Sequence, residues 1–548
     1  IRENIDNHRD ISSLIDPVVQ EYIYHKGMYL REPEFKPILR AKAIAFENAA
    51  GRDREVLDEL GNTVLYGHPD AQAILTKIQV ENDRLLILRN TVEGERPAGF
   101  VSYREIGNED LFGVLKDMEL AKLVRGKSSR EILLITGIYA REDGTGDSGV
   151  IRDAPQQLLV EVLAKELEKN YSFALFVAER GTATKEVVYV LERQGFIRPH
   201  MADESDKRTI YMVDMHEPLM FLHNLDTTIK EPFASNPAVL DAVEKNHKKL
   251  QIAMTKLYPG NLVLSLSSGI MYHRLVDRIT ALNDVPREPL VPRRLGKNMC
   301  VPFGKILRGK VVPNTVTKTL HTDKVYEPDL NSFTIEPFPY YSPLKSQIET
   351  IKSFDRPVIL VDDLVHTANR LQVLVPQLRE DGIPIKKVVV GVLSGYGRDL
   401  MQCLKVPVES IYSMPNLRQW FVESTLYPFI GGDTVRREEM KVAGLQPSIN
   451  MILPYATPRL SGCSREALVE FSACCIENSR DLFQVLEAEY RKMYAKNLTL
   501  SRLSEAVILP LCPDKGSCME YDENLAASVY LENDLETLWR MKEFMIKG

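Results

Sequence analysis

A run of apolar residues that ends in two adjacent carboxylates constrains the fold of this chain more than any other stretch. Residues 356–371 read RPVILVDDLVHTANRL, and positions 358–361 contain no polar residue. A strand without polar alternation is typical of a parallel sheet that is buried on both faces, and Leu371, Val375 and Leu378 then share one face of a helix. The stretch therefore predicts a strand, an acidic tip, a short turn and a helix.

The acidic tip and the turn predict a ligand that carries both hydroxyl and phosphate groups. In an open α/β sheet, ligands bind beyond the carboxyl ends of the strands, where Asp362 and Asp363 would lie. Backbone N–H groups of residues 365–370 would form an anion site at a helix N-terminus, and the carboxylates suit sugar hydroxyls or Mg²⁺. A phosphorylated sugar has both parts. A second interpretation, in which Asp363 only caps the helix, stays open at this point.

These residues resemble the ribose-phosphate signature of type I phosphoribosyltransferases, an apolar strand followed by two acidic residues and a Thr-Gly-rich loop. The resemblance implies that Asp362 and Asp363 are catalytic residues and Mg²⁺ ligands that bind the ribose of phosphoribosyl pyrophosphate. It also implies a 5′-phosphate loop formed by Thr367, Ala368, Asn369 and Arg370. Ala368 replaces the usual glycine, so a left-handed backbone there would cost about 1–2 kcal/mol. Arg370 replaces a frequent threonine.

A second motif upstream supports this resemblance. Residues 261–271 read NLVLSLSSGIM, an apolar strand that ends in small residues before a helical pattern. In the family, such a turn holds pyrophosphate through backbone N–H groups, and Ser267, Ser268 and Gly269 occupy that place. Because parallel strands end at one edge of their sheet, we expect this turn to lie in the same sheet as the Asp362 strand and to face its acidic tip.

Length and composition limit the class of protein. A chain of 548 residues should form several domains, because single cores stop growing at about 250–300 residues. The net charge of −7 argues against a general nucleic-acid-binding surface. The sequence contains no run of about 20 apolar residues, so we expect no membrane span. Seven cysteines without CxxC spacing predict reduced thiols in a cytoplasmic protein.

Residues 34–216 show a different order of elements. Residues 84–88 and 98–103 predict paired strands, and residues 131–139 predict a third, strongly apolar strand. A helix is expected from Asp153, a strand over 173–178 and a helix over 185–194.

This order resembles GNAT-type N-acetyltransferases, in which an Arg-x-x-Gly-x-Gly loop wraps the pyrophosphate of coenzyme A. Arg141, Gly144 and Gly146 match that loop, and the segment 191–196, LERQGF, matches the end of the penultimate helix. The resemblance implies acetyl-CoA as a cofactor. The position that often holds a tyrosine general acid is Leu191, and residues 147–152 add length and negative charge after the loop.

The first 33 residues resemble the C-terminal tail of nicotinate-nucleotide adenylyltransferases and related cytidylyltransferase-like proteins. In those proteins an Ile-Arg opens a helix and a Pro-Val-x-x-x-Tyr-Ile helix closes the domain, and Ile1 to Tyr29 have that order. The resemblance implies a remnant of a nucleotidylyltransferase domain. Two ordinary amphipathic helices are the alternative.

The resulting prediction is a multidomain α/β protein. Its parts are a nucleotidylyltransferase remnant (1–33), a GNAT-like mixed sheet (34–216), a doubly wound parallel-sheet phosphoribosyltransferase-like domain (217–440) and a helical C-terminal extension (441–548). The predicted function is a transferase of nucleotide metabolism that binds phosphoribosyl pyrophosphate or a nucleotide, and acyl-CoA. Two alternatives stay open: a non-catalytic nucleotide-binding module, and an N-acetyltransferase as the main activity.

Overall fold

The structure is a computed structural model. It describes residues 44–547 apart from gaps at 92–93, 129–130, 142–152, 180–183, 200–207, 291–293, 308–309, 339–340, 438–441, 443 and 516–519. Before residue 44 it describes only positions 15, 16, 18 and 19, so the predicted nucleotidylyltransferase remnant lies outside the described residues.

Strands and helices alternate along most of the described chain. The strands are β1 (Ile44–Ala50), β2 (Arg84–Asn90), β3 (Arg96–Ile106), β4 (Ile132–Ala140), β5 (Phe173–Glu179), β6 (Arg208–His223), β7 (Asn261–Ser267), β8 (Met299–Pro302), β9 (Val316–Thr317), β10 (Thr322–Tyr326), β11 (Phe333–Pro337), β12 (Val358–Val365), β13 (Ile385–Ser394), β14 (Val408–Met414), β15 (Gln419–Val422), β16 (Asp433–Val435), β17 (Gln446–Ile449) and β18 (Leu511–Pro513). The helices are α1 (Arg54–Asn62), α2 (Ala71–Glu81), α3 (Leu111–Leu115), α4 (Met118–Lys127), α5 (Ala154–Glu166), α6 (Lys185–Arg193), α7 (Pro237–Thr255), α8 (Ser268–Leu282), α9 (Leu344–Lys352), α10 (Asn369–Glu380), α11 (Gly395–Cys403), α12 (Glu423–Leu426), α13 (Arg465–Tyr494) and α14 (Ala527–Lys547).

An eight-stranded sheet contains the first part of the described chain, in the order β1-β2-β3-β4-β5-β6-β15, and β7 also pairs with β6. Neighbours from β1 to β4 are antiparallel, whereas β4 and β5 are parallel. The predicted order of two paired strands, an apolar strand, a helix, a strand and a helix is confirmed by β2 to β5, α5 and α6.

Strand β6 joins this sheet to the second half of the chain. Its first half pairs antiparallel with β5, from Asp214 to Arg208, and its second half pairs in parallel with both β7 and β15. The predicted boundary between residues 216 and 217 therefore falls inside a strand of 16 residues. Residues 217–223 continue the sheet, and Leu219, Met220 and Phe221 are buried.

A separate five-stranded sheet has the order β14-β13-β12-β8-β9, and every neighbouring pair in it is parallel. Strand β12 lies at its centre, where Val358 to Val361 are fully buried. The apolar run therefore forms the predicted central parallel strand. Helix α10 comes after it, with Leu371, Val375 and Leu378 buried as predicted.

A third sheet, with the order β11-β10-β16-β17-β18, leads into the helical C-terminal part. Helices α13 and α14 pack with α7 around a core that includes Phe221, Val263 and Phe421 from the first sheet. The predicted helical C-terminal extension contains one helix of 30 residues, α13. Residues 479–481 contain neither Gly nor Pro, so nothing in the sequence interrupts that helix.

Helix α5 lies inside the molecule. Ten of its residues are buried, and a helix that is apolar on nearly all sides must be covered on nearly all sides. Its Leu158 and Leu163 belong to one core that also contains Leu264 of β7, Val361 of β12 and Val389 of β13. The first two sheets therefore share a hydrophobic core around this helix.

Within the residues that the structure describes, no helix combines the length and the hydrophobicity that a bilayer crossing requires.

Glu161 on α5 should be important for the stability of this shared core. Its side chain is 2% exposed, and its oxygens lie 2.7 Å from Arg274 Nη2 and 2.9 Å from the Tyr412 hydroxyl. Removing one partner of a buried ion pair leaves the other charge uncompensated and costs about 3–5 kcal/mol. We therefore expect Glu161→Ala to lower the free energy of unfolding in urea by that amount.

The control for this prediction is Glu119→Ala, which removes an exposed carboxylate 3.0 Å from Lys122 Nζ. Exposed pairs contribute about 0–1 kcal/mol, so this variant should unfold close to the native midpoint. Similar losses in the two variants would show that the Glu161 contacts do not hold the sheets together.

Candidate functional site

The carboxyl end of β12 carries two carboxylates with different surroundings. Asp362 is 4% exposed, and its Oδ1 accepts the N–H of Asp363 at 2.9 Å, whereas Asp363 is only half-buried. The loop after β8 passes directly over Asp362, because a Cβ on Gly304 would lie 1.6 Å from Asp362 Oδ1. Glycine at position 304 is therefore required for this loop to cover the acidic tip.

One positive group lies close to the buried carboxylate. Arg370 Nη1 lies 3.8 Å from Asp362 Oδ2. Burial, reinforced by the neighbouring Asp363, raises the pKa of Asp362 well above its usual value, and Arg370 opposes this rise. Burial also raises the pKa of Asp433 on β16, against the charges of Lys324, Lys305 and Arg370. The tip of β12 is thus an acidic site with mixed charge, bounded by the third sheet.

The predicted phosphate turn has the backbone shape that its sequence disfavours. Ala368 has a φ of 49°, in the left-handed region, and α10 begins at Asn369. The Asn369 side chain donates to Thr367 Oγ1 at 2.8 Å, which fixes the turn. Arg370 Nε is buried without a hydrogen-bond partner among the described residues. The turn therefore combines the free N–H groups of a helix start with an incompletely bonded guanidinium.

Aromatic rings lie beside this turn. The His366 ring is 4.8 Å from Trp420 and 5.6 Å from Tyr396, and the Tyr396 side chain is exposed. Trp420 is therefore part of a partly open aromatic surface. Its neighbour Phe421 is in the core against Phe471.

The predicted pyrophosphate turn belongs to a different sheet from the one expected. Strand β7, which ends at Ser267, pairs with β6 and not with the sheet of β12, so the prediction of a shared sheet is wrong. The cause is the long β6, whose second half offers a free edge to β7. Ser267 caps α8, and Ser268 is buried.

The two turns nevertheless approach each other across α8. A Cβ on Gly391 of β13 would touch both the Met271 sulfur and the Asp363 carbonyl oxygen. Burial raises the pKa of Tyr272, and the charges of Asp226 and Asp363 add to this effect. The first two turns of α8, which begin at Ser268 and Gly269, therefore lie beside the acidic tip.

The acidic tip is a poor site for Mg²⁺. This ion prefers several oxygen ligands at about 2.0–2.1 Å and retains water. Asp362 is buried, has a raised pKa and already contacts Arg370, so Asp363 is the better-exposed carboxylate of the pair. The donor set does not fit a metal held by both residues, and it fits ribose hydroxyls better.

A second site lies between β4 and β5. These parallel strands pair only over Leu133 to Ile135 and Ala174 to Phe176. Beyond Ile135, β4 continues to Ala140 against β3 alone, and β5 continues to Glu179 against β6 alone. Beyond Ile135 and Phe176, the main-chain groups that β4 and β5 turn toward each other are therefore not paired with any strand in the described part of the chain. Arg141 comes directly after β4, while Gly144 and Gly146 lie outside the described residues.

Two residues of the acidic site were not predicted. Gly304 has a local signal, since it comes just after the apolar strand β8 and precedes Lys305. Asp433 has no such signal in the sequence, because it lies on β16 of another sheet and approaches Arg370 only in the folded protein.

No protein-family model matches this chain, and no curated protein sequence matches it. Among solved structures, a putative acetyltransferase of the GNAT family from Desulfovibrio desulfuricans is 12% identical, with a TM-score of 0.23 and coverage of 32% of this chain and 99% of that chain. The catalytic domain of a Tetrahymena histone acetyltransferase, in complex with coenzyme A, is 10% identical, with a TM-score of 0.21 and coverage of 32% and 93%. The ribosomal-protein-S18-alanine N-acetyltransferase from Escherichia coli is 9% identical, with a TM-score of 0.21 and coverage of 31% and 94%.

These structures are similar to about a third of the chain, and the similarity concerns the fold alone. They do not support the phosphoribosyltransferase-like or nucleotidylyltransferase-like interpretations, which stay predictions.

The backbone of Ala368 allows a direct test of the turn. A left-handed alanine costs about 1–2 kcal/mol, and glycine removes this cost while it raises the entropy of the unfolded chain by a smaller amount. We expect Ala368→Gly to raise the free energy of unfolding by about 0.5–1 kcal/mol. Ala488→Gly, at an exposed position inside α13, should lower it by about 1 kcal/mol. If Ala368→Gly also destabilises the protein, the turn does not have this shape in solution.

Proposed function

We propose that this chain is an acyl-CoA-dependent transferase whose cofactor binds between β4 and β5. The observation that carries the proposal is the separation of these strands after Ile135 and Phe176. The unpaired backbone N–H and C=O groups along the two separated strands need hydrogen-bond partners. An extended ligand with amide groups can supply them by binding along the strand edges as an additional strand would. The pantetheine arm of coenzyme A is extended and contains two amides.

The surroundings of the gap suit the phosphate end of the same ligand. Arg141 leaves β4 at the end of the gap, and its N–H donates to the Ala98 carbonyl oxygen at 3.0 Å, which fixes its position. Helix α5 begins at Ala154, after the glycine-containing loop, and a helix N-terminus favours an anion. Gly144 and Gly146 would then let the loop backbone approach the pyrophosphate.

Calorimetry with acetyl-CoA and with free coenzyme A tests this function. We expect binding of one equivalent of each, because the pantetheine and phosphate contacts do not depend on the acetyl group. Gly144→Asp combined with Gly146→Asp should weaken binding at least about tenfold, since both changes add a carboxylate at the proposed phosphate contact.

Gly126→Asp is the matched control, because a Cβ at this exposed position of α4 meets no neighbour within 4 Å. It should bind acetyl-CoA like the native chain. An unchanged affinity in the double variant would exclude the loop, and no binding by the native chain would exclude the function.

A second candidate function is the binding of a ribose phosphate or nucleotide at the tip of β12. The favouring observation is that the phosphate turn, the acidic pair and the aromatic surface of His366, Tyr396 and Trp420 adjoin one another. The Arg370 guanidinium would face the phosphate, the Asp363 carboxylate a ribose hydroxyl, and the rings a base. Turnover of phosphoribosyl pyrophosphate would be a further step at the same site.

Two variants separate these roles. Loss of a charged hydrogen bond costs about 1.5–3 kcal/mol, so Arg370→Ala should weaken nucleoside monophosphate binding at least about tenfold. Asp363→Asn should weaken the nucleotide more than inorganic phosphate, because only the nucleotide has a ribose. Arg379→Ala, at the other end of α10, is the control and should leave both affinities unchanged. Equal losses for the two ligands in Asp363→Asn would indicate that this turn is only a helix cap.

A further inference from the structure

Two histidines and a glutamate meet inside the molecule, away from the tip of β12 and from the gap between β4 and β5. Strands β6 and β15 are parallel neighbours, with Leu222 opposite Val422, so the next residues along the chain, His223 and Glu423, come out at the same edge. His247 reaches this edge from α7. His223 is also opposite Ser267 in the register of β6 and β7. The cluster therefore lies at the carboxyl edge of three parallel strands, the usual place for a ligand in such sheets.

The donor atoms are close enough to share one metal ion. Glu423 Oε2 lies 2.7 Å from His247 Nε2 and 4.0 Å from His223 Nδ1, and all three atoms are within 4.8 Å of one another. Bonds of about 2.0–2.1 Å to a tetrahedral zinc ion place the ligand atoms about 3.3–3.4 Å apart. The distance between Glu423 and His247 would therefore lengthen on binding, and the His223 ring would move toward the other two ligands by up to about 1.4 Å.

The same three atoms have no hydrogen-bond partner among the described residues, although all are buried. Glu423 is fully buried, and a buried carboxylate oxygen without a partner is expensive. Its Oε2 and His247 Nε2 are close, but they are not aligned for a hydrogen bond. A cation placed among them would satisfy all three atoms at once.

A second set of contacts orients these ligands. The Tyr427 hydroxyl donates to Glu423 Oε1 at 3.1 Å and itself accepts from the Asn478 amide at 2.9 Å, which leaves Oε2 directed at the histidines. The Gln251 amide lies 3.0 Å from His223 Nε2. The Gln251 oxygen accepts from Arg193 Nη1 at 3.3 Å. A metal on Nδ1 puts the proton on Nε2, so on metal binding the amide would turn and exchange its bond with Arg193 for one with that N–H. Outer contacts of this kind are typical of metal-binding histidines and carboxylates.

We propose that His223 Nδ1, His247 Nε2 and Glu423 Oε2 bind one divalent transition-metal ion, with Zn²⁺ as the preferred ion. Imidazole ligands favour zinc and its neighbours over Mg²⁺ or Ca²⁺. Three protein ligands leave a fourth position open, and the side chains of His223 and His247 are 12% and 20% exposed, so water or a substrate oxygen can reach it. The site does not depend on acyl-CoA or nucleotide binding.

Metal titration of the native full chain tests the site without any variant. After treatment with a chelator, the protein should bind one equivalent of Zn²⁺ with a Kd below about 1 μM in competition with a chromophoric chelator. X-ray absorption of the zinc-loaded protein should show two imidazole nitrogens and one or two oxygens at about 2.0–2.1 Å. No binding of Zn²⁺ or Co²⁺ at about 100 μM, or a spectrum without imidazole ligands, would overturn the proposal and leave a buried His–Glu pair.

Variants then locate the metal. Glu423→Gln keeps the shape and an acceptor for the Tyr427 hydroxyl, and His247→Gln keeps polarity, so both are conservative; each should weaken Zn²⁺ binding at least about 100-fold. His216→Gln is the matched control, because His216 is a partly exposed histidine that pairs with Asp214, outside the cluster. It should bind zinc like the native chain. If both cluster variants bind Zn²⁺ as tightly as the native chain, the assignment is overturned. If a variant does not fold, the X-ray absorption spectrum of the zinc-loaded native chain decides whether imidazole ligands are present.

Discussion

The burial of α5 holds the eight-stranded sheet and the parallel five-stranded sheet together. One face of this helix covers β3 and β4 of the first sheet, and the core around it also contains residues of β12 and β13. The buried carboxylate of Glu161 is polar within this apolar region, and Arg274 of α8, Tyr412 of β14 and Lys165 of the same helix compensate for it. Because Arg274 and Tyr412 come from elements that follow the first sheet's β6 in the chain, these contacts help to fix α5 against the second sheet.

The meeting of the sheets also decides where chemistry can occur. Three parallel strands, β6, β7 and β15, end at one edge, and β12 ends near α8, the helix that begins where β7 ends. The charge of Asp226 acts on both Tyr272 of α8 and His247 of the histidine cluster. The histidine cluster and the acidic tip are formed by different residues, and the gap between β4 and β5 belongs to the first sheet alone.

The different sites use different physical means. The gap between β4 and β5 offers main-chain groups, which suit a ligand recognised by its amides. The tip of β12 offers a mixture of charge in which Asp362 has a raised pKa because it is buried beside Asp363. The cluster of His223, His247 and Glu423 offers donor atoms that face each other without hydrogen bonds. The three proposed sites would therefore use three different modes of recognition.

The sequence by itself determined the local elements of this protein. The apolar run at 358–361 specified a buried parallel strand, and the turn after it and the buried face of α10 were predictable because they depend on neighbouring residues. The left-handed backbone of Ala368 was not predictable, because alanine disfavours it. Partners far apart along the chain were decided only by the tertiary structure. Strand β7 was predicted in the same sheet as β12 but pairs with β6, since a period of apolar residues defines a strand and not its neighbour. The His223, His247 and Glu423 cluster was missed for the same reason: no spacing links three residues that different elements bring together.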